Sequence, residues 1–209
     1  DLKIAMTNST KKTTTRKPRK PRATTKKQFT VKAEPETLPP NPFVYEVLEL
    51  AAKQRSKVKK VDVLKTYDHI SLKSIFIWNF DESVISMLPE GEVPYGDSDD
   101  QSIYSGTLSE NIAKEARGGE SATGQDLDGR GKTSLRREYQ NLYHFVKGGN
   151  DTLSSIRRET MFINMLRGLH PKEAEVLILV KDKRLTDKYN INLDIVKEAY
   201  PDINWGGRS

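Results

Sequence analysis

The fold of this chain is decided by its densest apolar stretch, Met161-Phe-Ile-Asn-Met-Leu-Arg-Gly-Leu-His-Pro-Lys-Glu-Ala-Glu-Val-Leu-Ile-Leu-Val180. The five apolar residues Val176–Val180 have no periodicity, so on their own they are compatible with a buried strand or a helix. We predict a helix, because Pro171 opens the segment and Glu173 lies in its first turn. A proline at the first position and an acidic side chain near the N-terminus both favour a helix start.

Six further helices are predicted around this one from apolar residues spaced three and four apart and from capping, proline and glycine signals. In the first half of the chain, one helix starts at Pro42 with Asn41 as its cap, a second spans Val58–Thr66, and a third has Ser71 as its cap and ends at Phe80. In the second half, one helix starts at Thr133 or Ser134 and is stopped by Gly148-Gly149, and another spans Leu153–Arg167, with Asn150 or Asp151 as its cap and Gly168 at its end. The last spans Leu193–Ala199, with Asn192 as its cap and Pro201 at its end. Their apolar positions are Phe43, Val44, Val47, Leu48 and Ala51; Val58, Val61 and Leu64; Leu72, Ile75, Phe76 and Phe80; and Leu135, Tyr139, Leu142, Tyr143 and Val146.

The predicted fold class is therefore all-α, a compact body of about six to seven short helices. Hydrophobic residues make up 35% of the 209 residues and charged residues 31%, which indicates a modest core with disordered flanks. No run approaches the roughly 18 apolar residues of a membrane span, so we expect no membrane partner. The absence of cysteine excludes disulfides and thiolate metal sites. Met6 resembles a natural start, so residues 1–5 are expected to lie upstream of the native chain.

The positive charge is concentrated in an N-terminal tail. Residues 1–40 carry eleven Lys or Arg and three acidic residues, whereas the other 169 residues carry 24 basic and 26 acidic ones. The tail is rich in Thr, Lys, Arg and Pro and almost lacks apolar side chains, so it is predicted to be disordered. Residues 1–40 are thus assigned as a basic tail with a Pro-rich linker, and residues 41–209 as the helical domain.

A long acidic insertion is predicted within the helical domain, over residues 81–132. Residues 81–128 carry two basic and twelve acidic residues. The segment is rich in proline and glycine, with one short helix predicted over Thr107–Ala116. Such a long irregular segment is uncommon inside a compact domain unless it is a functional loop. We expect it to pack on the domain only through Met87, Leu88, Val93 and Tyr95.

The tail is the strongest candidate for a binding site. Prolines keep Arg16-Lys-Pro-Arg-Lys-Pro-Arg22 extended, so that its basic side chains fan out along a semi-rigid segment. Such a strand neutralises phosphates and gains free energy from counterion release. The predicted nucleic-acid-binding residues are Lys11, Lys12, Arg16, Lys17, Arg19, Lys20, Arg22, Lys26 and Lys27. We expect little sequence specificity, and the pattern does not distinguish DNA from RNA.

Three other interpretations of the tail stay open. It can be a solubilising terminus, it can dock on an acidic protein surface, or it can fold back on the acidic insertion when no polyanion is present.

Other chemistry finds little support in the sequence. Gly129-Arg-Gly-Lys-Thr-Ser134 lacks the glycine spacing and the preceding strand of a phosphate-binding loop. His69, His144 and His170 have no evident partner ligands for a metal, and His170 is predicted to mark a helix start. Asp97, Asp99 and Asp100 lack the glycine and distal glutamate of a calcium loop. We therefore expect no enzymatic activity, no catalytic residue, no cofactor and no metal.

Several blocks of the sequence resemble a family of small, functionally uncharacterised proteins of T-even-like tailed phages, including phages of marine hosts. These blocks are Pro42-Phe-Val-Tyr-Glu-Val-Leu48, Lys59-Lys-Val-Asp-Val-Leu-Lys-Thr-Tyr67, Leu88-Pro-Glu-Gly91, Tyr143-His-Phe-Val-Lys-Gly-Gly149, Arg157-Arg-Glu159, Leu169-His-Pro-Lys-Glu-Ala-Glu175, Val180-Lys-Asp-Lys183 and Glu198-Ala-Tyr-Pro201. The resemblance covers about residues 42–203, and residues 96–132 are longer than the usual pattern. It implies host cytoplasm, near the nucleoid, or the virion as the setting, and it implies no catalytic residues.

Two functions are expected from these observations. The first is a non-enzymatic phage accessory protein that binds DNA through its tail and a replication, transcription or packaging protein through its helical body. The alternative is a structural protein of the virion head or tail, whose basic tail docks on an acidic protein surface.

Overall fold

The computed structural model describes residues 36–95 and 133–208, and these residues contain seven α-helices and two 3-10 helices. The fold there is all-α, as predicted, and its sole β pairing is an isolated antiparallel bridge between Ser86 and Val146. The α-helices are α1 (Val44–Lys53), α2 (Lys57–Thr66), α3 (Ile70–Phe80), α4 (Leu135–Glu138), α5 (Ser155–Gly168), α6 (Pro171–Lys181) and α7 (Leu193–Ala199), and the 3-10 helices are Tyr139–Phe145 and Leu185–Asp187.

Helix α6 lies at the centre of the core. Ala174, Val176, Leu177 and Val180 are completely buried, and the helix packs against α1, α3 and α5. Helix α2 completes the body by packing against α1 and α7. The helical interpretation of Val176–Val180 is thus confirmed, and the run lacks a polar face because neighbours cover the helix on several sides.

The helices α6 and α7 begin where the sequence signals predicted. Helix α6 begins at Pro171, with His170 as its N-cap, which confirms His170 as a helix-start residue. Helix α7 spans the predicted residues, and Asn192 Oδ1 accepts a hydrogen bond from the N–H of Ile195 at 3.0 Å. Local capping chemistry was therefore sufficient to bound these two helices at their N-termini.

The start of α1 differs from the prediction. The helix begins at Val44, two residues after Pro42, and Phe43 is its N-cap. Asn41, the predicted cap, has a left-handed backbone with φ of +50°, a conformation that asparagine tolerates better than most residues. The backbone N–H of Phe43 donates instead to Glu46 Oε1 at 3.1 Å, so a carboxylate inside the first turn helps to close the helix end.

The predicted cap of α3, like that of α1, is wrong. Helix α3 begins at Ile70, and its cap is His69, whose Nδ1 accepts from the N–H of Ser71 at 3.1 Å. Ser71, the predicted cap, is buried within the first turn. In each case a neighbour with the right backbone geometry takes the capping position, and sequence pattern alone does not reveal that geometry.

Helix α5 begins at Ser155, not near Asn150 or Asp151. Ser154 Oγ caps it by accepting from the N–H of Arg157 at 3.3 Å. The buried guanidinium of Arg158 donates to the carbonyl of Asn150 at 3.1 Å and thereby holds residue 150 in the preceding turn. The helix therefore starts two residues later than the predicted Leu153.

The helix predicted from Thr133 or Ser134 is α-helical for one turn only. It continues as the 3-10 helix Tyr139–Phe145, in which residues three apart share one face. Leu142 and Phe145 consequently point into the core, whereas Tyr143 is 49% exposed. The predicted apolar stripe is wrong for Tyr143 and omits Phe145, because it assumed α-helical spacing. On α2 the predicted position Val58 is likewise exposed, at 66%.

The beginning of the acidic insertion packs on the body without helix or strand of its own. Leu88, Val93 and Tyr95 are partly buried against the core, as predicted. Met87 is 40% exposed, and Val84, which was not predicted, is buried. The rest of the insertion, including the helix predicted over Thr107–Ala116, lies outside the described residues.

Glu173 joins the N-termini of three helices. Its carboxylate is fully buried in the first turn of α6. One oxygen accepts from the N–H of Tyr45 in α1 and the other from the N–H of Leu135 in α4, both at 3.2 Å. The backbone of Val44 adds a further hydrogen bond. Burial nevertheless dominates and raises the pKa of Glu173 from 4.5 to about 7, against these amide donors.

This raised pKa predicts a specific pH dependence of stability. Between pH 4.5 and about 7, Glu173 of the folded chain holds a proton that the unfolded chain has released. The stability that this bound proton contributes is therefore fully present below pH 4.5 and is lost as the pH rises through about 7. We expect the wild type to lose on the order of 3 kcal/mol relative to Glu173→Gln over that range. Urea unfolding followed by circular dichroism at a series of pH values measures it.

The control is Glu175→Gln, which changes a half-exposed carboxylate on the same helix. Its difference from the wild type should stay constant over the same pH range. A pH-independent difference for Glu173→Gln would contradict the assignment.

Candidate functional site

A cleft of about 240 Å³ lies between residues 88–94 and the helices α5 and α6. Its walls are mainly apolar, and charged side chains lie at its floor and rim. We call it the α5 cleft; it is lined by Leu88, Pro89, Glu92, Val93, Pro94, Glu159, Phe162, Ile163 and Lys181. It is a concave feature with the mainly apolar lining and few polar groups that ligand and partner sites usually have.

Hydrogen bonds from three helices hold the irregular wall of the cleft in place. Ser86 Oγ accepts from Trp78 Nε1 of α3 at 2.8 Å and donates to the carbonyl of Lys181 in α6. At the other end of the wall, Arg167 Nε of α5 donates to the carbonyl of Tyr95 at 3.1 Å. These side-chain hydrogen bonds satisfy backbone and hydroxyl groups of the wall, as backbone hydrogen bonds do in a strand. The cleft therefore exists without regular secondary structure on that side.

A buried ion pair forms the floor of the cleft. The Lys181 side chain is 0% exposed, and its ammonium donates to both oxygens of Asp182, at 2.8 and 2.9 Å, and to the carbonyl of Pro89 at 2.9 Å. Asp182 also accepts from the N–H of Gly91 at 3.0 Å. All three protons of the ammonium are therefore used to position residues 89–91, and none is left to act on a ligand.

The rim of the cleft carries acidic side chains whose charge is not compensated. Glu92 is exposed and Glu159 is half-buried, and neither forms an ion pair within residues 36–95 and 133–208. Some other surface glutamates of the body are paired, as Glu49 is with Lys172 at 3.1 Å and Glu175 with Lys188 at 2.7 Å. The exposed Glu82 and Glu90 resemble Glu92 in having no ion pair within the described ranges. Glu92 and Glu159 make the rim of the cleft locally negative.

An exposed apolar side chain extends the cleft along α5. Ile156 is 76% exposed, and it lies three and seven residues before Glu159 and Ile163. These spacings place the three side chains on one face of the helix. Ile156 lies about 10 Å along the helix axis from Ile163. The apolar wall of the cleft therefore continues toward the N-terminus of α5.

The titratable groups of the described residues do not form a catalytic arrangement. His69 and His170 cap helices through Nδ1, and His144 Nδ1 pairs with the Asn150 amide at 2.9 Å. Within those residues, no group of three or more His, Cys, Asp or Glu could hold a metal ion. Glu173 has a shifted pKa, but its hydrogen-bond partners are backbone amides of helix ends. Its shifted pKa is explained by burial inside the fold.

A second polar centre, Asp81, fixes the C-terminal residues. Its buried carboxylate accepts from the Ser83 hydroxyl at 2.6 Å, from the N–H of Gly206 at 3.0 Å and from the Arg208 guanidinium at 2.6 Å. Burial opposes ionisation, but these donors lower the pKa of Asp81 to about 2. Lys183, with φ of +57°, donates to the carbonyl of Asp81 at 2.9 Å. Asp81 therefore stays ionised and structural.

The residues of the cleft carry no pattern that predicts a site from the sequence, which favoured another part of the chain. The sequence predicted tail residues as the site, and all nine lie outside the described residues, so their role stays a prediction. The one available signal for the cleft was Val180-Lys-Asp-Lys183, in which charged residues follow directly on a fully apolar run. Charges at the end of a buried helix must be paired, and this indicates a structural ion pair.

The comparison with known families places this chain. The model of a family of unknown function (DUF6433) matches residues 47–121 and 122–187, more than half of the chain. The chain belongs to this family. No curated protein matches it, and neither does any solved structure. The part matched to DUF6433 includes every residue that lines the α5 cleft and excludes the basic stretch Lys11–Lys27.

The helices were compared with the dimensions of a membrane span over residues 36–95 and 133–208. None of the helices there combines the length and the apolar character that crossing a bilayer requires.

The ion pair at the floor of the cleft predicts that substitutions of two aspartates differ strongly in their effect on the free energy of unfolding. Asp182→Asn leaves the Lys181 ammonium buried without a counter-charge, and we expect a loss of about 3–5 kcal/mol in the free energy of unfolding. Asp187→Asn removes an exposed partner of Arg184 and should cost less than about 1 kcal/mol. Chemical denaturation measures both variants, and equal losses would contradict a buried, structural pair.

Proposed function

We propose that this protein is a non-enzymatic adaptor, with a basic tail that binds nucleic acid without sequence preference and a helical body that binds a protein partner. The observation that carries the proposal is the separation of charge along the chain. Residues 1–40 carry eleven basic and three acidic residues, whereas the remaining 169 residues are almost balanced.

The contacts within the body support this separation. Eight of its basic side chains pair with carboxylates of the described residues, and these are Lys53, Lys57, Lys73, Lys172, Lys181, Arg184, Lys188 and Arg208. Others are directed at backbone carbonyls, such as Lys60 at Asn190 and Lys183 at Trp78. Cations engaged in this way are poor ligands for a polyanion, because binding would first break an existing pair.

The tail has a longer run of basic residues than the body, which also carries exposed ones such as Arg55, Lys59 and Lys65. Seven basic residues lie between Arg16 and Lys27, among prolines that favour an extended backbone. Each phosphate that such a segment neutralises releases a counterion, which favours binding at low salt and weakens it as salt rises. The segment lacks interleaved aromatic residues for base stacking, so contacts to the phosphate backbone should dominate.

The resemblance to phage proteins indicates the setting of this activity. In an infected cell the tail would hold the protein on DNA, and the body would carry a replication, transcription or packaging protein of phage or host. The α5 cleft supports the second half of the proposal, since an apolar concavity with a charged rim is a common protein-binding feature.

The tail is tested by the salt dependence of duplex binding. We expect the affinity of the full chain to fall on the order of 10³-fold between 50 and 200 mM salt, if about six phosphates are contacted. In the variant Arg16→Gln/Lys17→Gln/Lys20→Gln/Lys26→Gln, the slope of log K against log[salt] should become shallower by about 3 to 4. Fluorescence anisotropy with labelled DNA and RNA duplexes measures both quantities.

The chain offers a matched control. Arg55→Gln/Lys59→Gln/Lys65→Gln/Lys197→Gln also removes one arginine and three lysines, all of them exposed on the body. This variant should keep the wild-type slope. If the two variants lose equal slope, the proposed role of the tail is wrong.

A further inference from the structure

We propose that the α5 cleft binds a basic segment of a partner protein by taking up one large apolar side chain, with lysine or arginine residues of that segment at the acidic rim. This inference rests on the proposed function, in which the body binds a protein, and it names the chemistry of the partner. Four observations carry it, from the size, the rim, the floor and the extension of the cleft.

The size of the cleft suits one side chain. Its volume of about 240 Å³ is below the roughly 300–1,000 Å³ of typical small-molecule sites. A cavity of about 150 Å³ is known to hold benzene, so the cleft admits a phenyl or indole ring. Leu88, Val93, Phe162 and Ile163 offer such a ring apolar contacts on several sides. An aromatic or large aliphatic anchor is also the usual centre of a protein–protein contact.

The rim selects the charge of the segment. Glu92 and Glu159 line the cleft and have no ion-pair partner in the described part of the chain, unlike Glu49, Glu175 and Glu198 elsewhere on the body. An acidic segment would be repelled, whereas a basic one would supply the missing partners. Exposed pairs of this kind contribute modestly to affinity, so their main effect is on the choice of partner.

The floor does not oppose a cation. The ammonium of Lys181 is the one basic group that lines the cleft, and the Asp182 carboxylate neutralises it at 2.8 Å. Of the charged side chains that line the cleft, Glu92 and Glu159 are therefore the ones left to act on an approaching lysine; the exposed Arg167 holds the carbonyl of Tyr95 and lies outside the lining. The cleft is apolar inside and negative at its edge, which is the complement of an apolar residue with basic neighbours.

The exposed Ile156 on α5 offers the segment a second apolar contact. Ile156 is 76% exposed and continues the apolar wall by about 10 Å beyond Ile163. Three residues of an extended peptide span that distance. A segment with its anchor in the cleft can therefore place a second apolar group on Ile156, and this accounts for a large exposed isoleucine on that face.

The proposal is tested with a fluorescein-labelled peptide that has one phenylalanine flanked on each side by two lysines, and a leucine three residues from the phenylalanine to reach Ile156. Fluorescence anisotropy with the full-length protein should show saturable binding. Replacing the phenylalanine with alanine should weaken binding about tenfold or more, because the anchor is lost. In the protein, Glu92→Gln/Glu159→Gln and Ile156→Ser should each weaken binding severalfold.

Matched controls separate the cleft from general surface effects. Glu175→Gln/Glu198→Gln removes two carboxylates elsewhere on the surface, and Val58→Ser removes an apolar side chain that is 66% exposed on α2. Both should bind the peptide like the wild type. Circular dichroism melting curves show whether each variant is folded.

Three results would overturn the proposal: no saturable binding by the wild type below about 1 mM peptide, equal losses in the rim variant and its control, or equal binding of the alanine peptide. Self-association that competes with the peptide would assign the cleft to a second copy of the chain and would also overturn it. The duplex titration is run on the wild type in parallel. Absence of salt-dependent duplex binding by a wild type that binds the peptide saturably would contradict the role of the tail and leave the cleft assignment standing.

Discussion

The fold depends on one carboxylate that is shared by three helix ends. Glu173 lies in the first turn of α6 and accepts hydrogen bonds from backbone amides of α1 and α4. Each helix N-terminus leaves backbone N–H groups without partners inside the helix, and burying such groups unpaired is costly. A single acidic residue therefore allows three helix ends to meet in the interior. The cost of burying its charge is expressed in its raised pKa.

The same principle organises the part of the body that has no regular secondary structure. Apart from the bridge between Ser86 and Val146, residues 81–95 and the C-terminal residues have no helix or sheet to satisfy their backbone groups. Lys181, Lys183 and Asp81 supply those partners from fixed positions at the ends of α6 and α3. Because these charged groups are themselves paired or fully hydrogen-bonded, their burial is tolerated. The α5 cleft is a product of this arrangement, since its outer wall is held by side chains.

Two different kinds of surface follow from these arrangements. In the described part of the body, most basic groups are engaged in ion pairs or in bonds to carbonyls, while the tail residues Lys11–Lys27 contain no acidic residue. The cleft, in contrast, combines an apolar interior with carboxylates that lack partners in the described residues. In the proposed adaptor, long-range attraction to phosphate is assigned to one end of the chain and short-range recognition of a protein to the other. The two functions can then vary independently, because they depend on different residues.

The sequence by itself determined the fold class and the helices whose signals are local. Pro171 with Glu173, and Asn192 before Leu193, bounded α6 and α7, because capping depends on adjacent residues. The concentration of charge in the tail is likewise a property of composition. The tertiary structure decided the start of α5, where Arg158 holds residue 150, and the 3-10 turn that buries Phe145 and exposes Tyr143. It also decided the cleft, because Leu88, Glu159 and Lys181 are far apart in sequence and meet only when the helices pack. Contacts of this kind depend on three-dimensional distance, which periodicity and composition do not contain.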